Sequence, residues 1–218
     1  MLDKSQLNDS KYILAIHSAN NYFGFAYKSI NGSLSQEKFF IKNFNRDLSN
    51  NLVFDLAEFI SDISFDSIER IAVSNGPANF NATRLIVVLA RTISQQIKCP
   101  LDYYSCYKIM AKRIAIKNKI SQANKYFWIK NNLKHRGYIA GKYMVILNPN
   151  TRNISSIKEV TTPKLFRTLI EKDIYYDVDY DSKDDLKELL QLSFKNFKES
   201  IVNSWEKVLP IYPISAIN

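Results

Sequence analysis

Ile71 to Ala90, IAVSNGPANFNATRLIVVLA, is the stretch that decides the fold. Arg70 to Val73 reads as a short buried strand, Ser74 to Phe80 as a loop, and about Asn81 to Ile97 as a helix that Pro100 ends. Gly76 permits backbone shapes other residues resist, Pro77 stiffens the turn, and Asn79 or Asn81 can cap the helix. Free amides at such a helix start can bind an anion. A plain strand-to-helix turn accounts for the same residues, and the Walker lysine and the spaced glycines of a dinucleotide loop are absent.

Upstream of this unit, Tyr12 to Ile16, Tyr22 to Tyr27 and Glu37 to Ile41 cluster or alternate apolar residues, with turn formers at Ser18 to Asn21 and Asn31 to Ser33. They predict an antiparallel three-stranded meander. A helix follows, with Leu48, Leu52, Leu56, Phe59, Ile60 and Ile63 on one stripe behind a cap at Asp47 or Ser49. Downstream come a strand at Leu101 to Tyr104 and a helix from about Tyr107 to Ile116. This order predicts a mixed α/β layer rather than a strictly alternating doubly wound sheet.

The polar stretch Lys117 to Lys125 marks the expected boundary between a lobe at 1–117 and a second at 118–218. In the second, Tyr126 to Ile129, Gly137 to Leu147 and Ile154 to Val160 read as strands, with a turn at Asn148 to Asn150. Thr162 and Pro163 predict a short helix through Glu171, since proline suits the first helical position. The acidic run Asp177 to Asp185 precedes a helical region at roughly Leu186 to Val208 and an extended ending.

The 218 residues carry 30 basic and 21 acidic side chains, a formal net charge of +9 that favours an anionic partner such as nucleic acid or an acidic protein. No tight Lys/Arg block marks one strip of chain, so compositional drift explains the charge as well. An RNA-binding module calls for a basic stripe with interleaved aromatics, which the linear sequence does not display. Cys99 and Cys106 are too isolated for a disulfide framework or zinc spacing and read as reduced thiols. The polar Met1 to Lys11 and the lack of an apolar run near the ~20 residues that span a bilayer predict a cytoplasmic protein without membrane contact.

Within the deciding stretch, Gly76, Pro77, Phe80 and Arg84 match in register the GPGSFTGLR-type segment of the TsaB (YeaZ-like) family, with Ala78 and Ala82 replacing family glycines. Ile13 to Ala26 (ILAIHSANNYFGFA) resembles that family's ILAIDTSTxxxSVA opening, and Trp205 to Ser215 (WEKVLPIYPIS) its closing P-x-Y segment. Leu133 to Tyr143 (LKHRGYIAGKY) looks like its DAR-x-GEVY-x-A-x-Y strand. There Leu133 replaces the acidic residue and Tyr138 the glutamate.

The resemblance implies an actin-like ATPase (ribonuclease H-like) α/β fold of two lobes, the second reduced and divergent. It implies a noncatalytic subunit of tRNA threonylcarbamoyladenosine (t6A) synthesis that docks and activates a TsaD-type threonylcarbamoyltransferase. A TsaE-type ATPase joins that complex, and a TsaC-type synthase makes the donor. ATP and metal are expected at the TsaD partner, tRNA contact is indirect or weak, and the isolated protein is a possible homodimer. His17 stands where active superfamily members carry an aspartate near metal and phosphates, so His17 and Ser18 are read as degenerate phosphate-site positions. The alternative, an active actin-fold kinase or acyltransferase with its own nucleotide site, requires a carboxylate there.

Two histidines, His17 and His135, are present, and no partner carboxylate is evident for either. No Ser/His/Asp or Cys/His grouping, HExxH, CxxC or carboxylate pair is identifiable, so no catalytic or metal-ligating residue is assigned. On the second helix, Ala82, Leu85, Ile86, Leu89 and Ile93 form the predicted core stripe, leaving Arg84, Val87, Val88 and Arg91 outward. On the first, Phe54 and Ala57 lie opposite the core stripe. These six outward residues form the expected partner-binding surface, unless another part of the chain covers them. Trp205 and Tyr212 are expected to dock the C-terminal segment onto the body.

Overall fold

β1 (Tyr12–Ala19) is buried along all eight residues, as a strand covered on both faces must be. It is the centre of a five-stranded sheet in a computed structural model that describes residues 10–31, 37–43, 48–168 and 173–213. The sheet order is β3-β2-β1-β4-β5, with β2 (Tyr22–Ser29), β3 (Glu37–Asn43), β4 (Ile68–Ser74) and β5 (Leu101–Tyr104). β1, β2 and β3 pair antiparallel as the predicted meander, while β1, β4 and β5 run parallel.

One face of this sheet carries Leu14, Ile16, Phe25, Ile71 and Val73 against α1 (Leu48–Phe59) and α2 (Phe80–Ile97). The opposite face carries Ile13, Ala15, Ala26 and Ala72 against α3 (Cys106–Lys117) and α4 (Ser182–Lys198). Small residues dominate that second face, which lets α4 lie close over the centre of the sheet. Asp181 caps α4 by accepting from the Lys183 and Asp184 amides. The cap proposed for α1 at Asp47 falls outside the described residues, and Ser49 lies inside the helix rather than before it.

The second sheet has order β8-β7-β6-β9, built from β6 (Tyr126–Leu133), β7 (Gly137–Leu147), β8 (Ile154–Phe166) and β9 (Tyr175–Asp177). Its inner face puts Phe127, Ile129, Tyr143, Val145 and Ile157 onto Met110, Ala111 and Ile114 of α3. The chain leaves α4 for an irregular segment and a single turn at Trp205–Lys207, so the long terminal helix predicted to Val208 stops about ten residues earlier.

The short helix predicted from Pro163 is not formed, because β8 runs through that residue to Phe166. The strand is at the sheet edge, where a missing amide costs little. Pro163 also falls where the β7–β8 register shifts between Ala140 and Lys142, with Gly141 opposite it. A Cβ on Gly141 would come within 3.2 Å of the Pro163 ring.

Candidate functional site

The loop between β4 and α2 is held from three sides. The Asn75 amide donates to the Tyr104 carbonyl at 3.0 Å, and its carbonyl accepts from the Ile211 amide at 2.7 Å. The Asn75 carboxamide donates to the Leu209 carbonyl at 3.0 Å, and the Gly76 carbonyl accepts from the Cys106 amide at 2.7 Å. Gly76 has φ +97°, and a Cβ there would lie 3.1 Å from the Ile211 carbonyl oxygen. That position therefore requires glycine. Both Gly76 and Pro77 are buried.

Asn79 caps α2 by accepting from the Ala82 amide at 3.2 Å, so the chain's own side chain takes one of the amides an anion would use. The Phe80 ring leaves the core and packs on Tyr212 with centroids 4.6 Å apart. The expected docking of the C-terminal aromatics is thus formed, by Tyr212 on Phe80 and by Trp205 under the Arg91 guanidinium, 5.5 Å from its ring.

Between this loop and the second sheet lies a cleft of about 350 Å³. Its polar lining comes from Asn20, Asn21, Asn79, Asn131, Tyr107 and Tyr180. The Tyr107 hydroxyl is buried and has no hydrogen-bond partner among the described residues, and burial pushes its phenol well above the usual range. Carboxamides and phenols can hydrogen-bond a neutral polar molecule, and this lining holds no carboxylate. No cluster of three or more His, Cys, Asp or Glu side chains placed to hold a metal occurs among the described residues.

His17 and Ser18 lie in the last residues of β1, and neither lines this cleft. The Ser18 hydroxyl donates to the Tyr22 carbonyl at 3.1 Å, and its amide donates to Ser74 Oγ at 3.2 Å. His17 points to the face covered by α4, where its Nε2 sits 3.5 Å from Asp185 Oδ2 with both side chains buried. Sequence reasoning missed this carboxylate because Asp185 is 168 positions away, in a run that reads as solvated acid. The other Asp185 oxygen accepts from Arg113 at 2.7 Å. Neither imidazole nitrogen makes a hydrogen bond among the described residues. The neighbouring Cys106 thiol is pushed up to about 12 by burial and by the Asp185 charge, which makes it a packing residue rather than a nucleophile.

The residues expected to form a partner-binding surface do not all share one face. Phe54 and Val88 are 69% and 54% exposed, Ala57 and Arg84 are exposed, and Val53, which the sequence reading omitted, is 64% exposed. Val87 is a correction, since it is 1% exposed and belongs to the core. The buried arc of α2 runs through Ala82, Thr83, Ile86, Val87, Ala90, Ile93 and Ser94. At 100° per residue this arc is rotated by about 70° from the expected stripe. Thr83, Val87, Ala90 and Ser94 join Ala82, Ile86 and Ile93 in it, and Leu85 and Leu89 pack, half-buried, at its edge. Arg91 is half-buried against Trp205, so part of the outward face is covered from within the chain.

No family model and no curated protein matches this sequence. Among solved structures, YeaZ from Pseudomonas aeruginosa superposes with a TM-score of 0.66 at 12% identity, over 93% of this chain and 99% of that one. A Pseudomonas aeruginosa structure described as similar to the peptidase YEAZ gives 0.66 at 14% identity, over 94% and 100%. The chain has the YeaZ fold. The match takes in essentially the whole of each YeaZ-like structure. In this fold Gly76 and Pro77 lie in the β4–α2 loop, Phe80 and Arg84 in the first turns of α2, and α1 and α2 present Val53, Phe54 and Val88 to solvent.

Proposed function

We propose that this protein is a TsaB-type noncatalytic subunit of a t6A-synthesising complex, docking a TsaD-type transferase through the outward faces of α1 and α2. The observation that carries the reading is the pairing of a full-length YeaZ fold with exposed Val53, Phe54 and Val88 on two neighbouring helices. Large apolar side chains on adjacent helices find a use in an interface whose core excludes water. In this reading Arg84 sits at the rim of the contact and Arg91 braces the helix from Trp205.

The cleft supports a subunit that leaves nucleotide chemistry to its partner. Its polar lining is neutral, and Asp185, the carboxylate facing His17, is engaged by Arg113. ATP and metal belong to the TsaD-type partner, and a TsaE-type ATPase completes the assembly.

The test is reconstitution with a TsaD-type transferase, a TsaE-type ATPase, the threonylcarbamoyl donor and tRNA, followed by nucleoside analysis. Modified adenosine appearing only when this chain is present supports the proposal. Equal modification without it, or ATP turnover by this chain alone, overturns it.

A further inference from the structure

The outer face of the second sheet is not the polar surface that a solvent-facing sheet ordinarily shows. α3 covers the inner face. On the outer face, strand alternation and register bring together Tyr126, Trp128 and Lys130 of β6, Tyr138 and Lys142 of β7, Lys164 and Phe166 of β8, and Tyr175 of β9. Trp128 is the hub, stacked on Tyr175 at 5.8 Å and meeting the Phe166 ring edge-on at 5.4 Å. Lysine ammonium groups lie over the rings. Lys142 is 5.3 Å from the centre of Tyr126 and 5.4 Å from Trp128, Lys130 is 5.4 Å from Tyr138, and Lys164 is 5.4 Å from Phe166. Lys130 pairs with Asp177 at 3.2 Å, whereas Lys142 and Lys164 make no ion pair among the described residues.

Rings and cations therefore alternate across four strands rather than along the chain, which is why the linear sequence does not display the pattern. We propose that this face binds single-stranded nucleic acid. Unpaired bases stack on Tyr126, Tyr138 and Phe166, and Lys142 and Lys164 move from the rings to the phosphates. A sheet with stacking rings flanked by cations is the arrangement by which four-stranded platforms take unpaired bases. An acidic protein surface would use the lysines, but exposed rings alternating with cations on one sheet face match the stacked bases and phosphates of a single strand more fully. This inference does not depend on pairing with a TsaD-type enzyme.

The test uses the isolated full chain and a fluorescein-labelled 12-nucleotide single strand of mixed sequence, as RNA and as DNA, read by anisotropy over a salt series. Tyr126→Ala, at a position 47% exposed and so tolerant of change, is expected to weaken binding about 5- to 100-fold. Removing Lys142 and Lys164 together reduces the slope of log affinity against log salt by about 1.4. Removing the exposed Lys98 and Lys207, which lie off this sheet, leaves affinity within about twofold and serves as the charge-matched control. Single-strand affinity unchanged in a folded Tyr126→Ala, Tyr138→Ala variant overturns the proposal. So does an equal loss in the control pair, or a duplex of the same length binding as tightly as the single strand.

Discussion

Arg70 and Asp102 face each other on the parallel strands β4 and β5 through two hydrogen bonds of 3.0 and 2.9 Å, both side chains buried. Asp102 also accepts from Ser193, Asn196 and Asn203 at 2.6 to 2.9 Å, and Arg70 donates to the Ile201 carbonyl at 2.6 Å. The pair joins the sheet edge, α4 and the segment after it. Asp102→Ala leaves a buried guanidinium without its counter-charge and is expected to destabilise the fold by about 3–5 kcal/mol. Urea unfolding measures this, and a loss below about 1 kcal/mol would show that water reaches the site.

Val88 and Val87 are neighbours with opposite expected phenotypes. Val88→Asp combined with Phe54→Asp places charges on exposed positions, so the melting temperature stays near the parent while calorimetric binding to a TsaD-type transferase is lost. Val87→Asp puts a carboxylate in the core and costs several kcal/mol, about 2–7. A folded double variant that binds with parental affinity removes α1 and α2 from the interface.

Gly76→Ala and Gly137→Ala both force a side chain into the left-handed region, at φ +97° and +96°. Each is expected to cost at least about 1–2 kcal/mol in thermal or urea unfolding. Gly137→Ala costs more, because its Cβ overlaps the Phe166 carbonyl, a backbone atom of the neighbouring strand.

Burial pushes the Lys108 ammonium from 10.5 down to about 8, despite opposing help from Glu188 and Glu159, while its Nζ donates to the Ile157 carbonyl. A lysine whose folded pKa is lowered binds fewer protons in the folded than in the unfolded state between these values. Its contribution to stability therefore rises as pH climbs from about 8 to 10.5 and is unfavourable below about 8. The full swing is on the order of 3 kcal/mol. Lys108→Met is expected to be more stable than the parent at pH 7 and to lose this upward trend, as read by urea midpoints at pH 7 and 10. Parallel pH profiles for the two proteins would refute it.

The parts of the fold written in local pattern were legible. The meander, the β4–loop–α2 unit and β5 follow from alternation, Gly76-Pro77 and Pro100, and all three lie where those signals put them. What escaped was set by distant chain. Pro163 looks like a helix start until an edge strand and Gly141 give it a place without an amide. β9 is three residues long, too short for a period, and exists because β6 offers an edge. Val87 was misplaced because hydrophobicity ranks Leu85 and Leu89 above Thr83 and Ser94, whereas the helix is rotated so that Thr83, Val87 and Ser94 are buried and the two leucines pack at the edge of the core. His17 acquires Asp185 only through the packing of α4 on β1.

That packing also governs how the protein is made. The face of the first sheet bearing Ile13, Ala15, Ala26 and Ala72 is closed by Leu186, Leu189 and Leu190, residues translated more than a hundred positions after the strands they cover. During synthesis the ribosome thus releases a sheet with one side covered only at Ile109 of α3, and it stays so through the whole of the second sheet. Chaperone occupancy of the nascent chain is the natural consequence, ending only when α4 clears the exit tunnel and shuts the face.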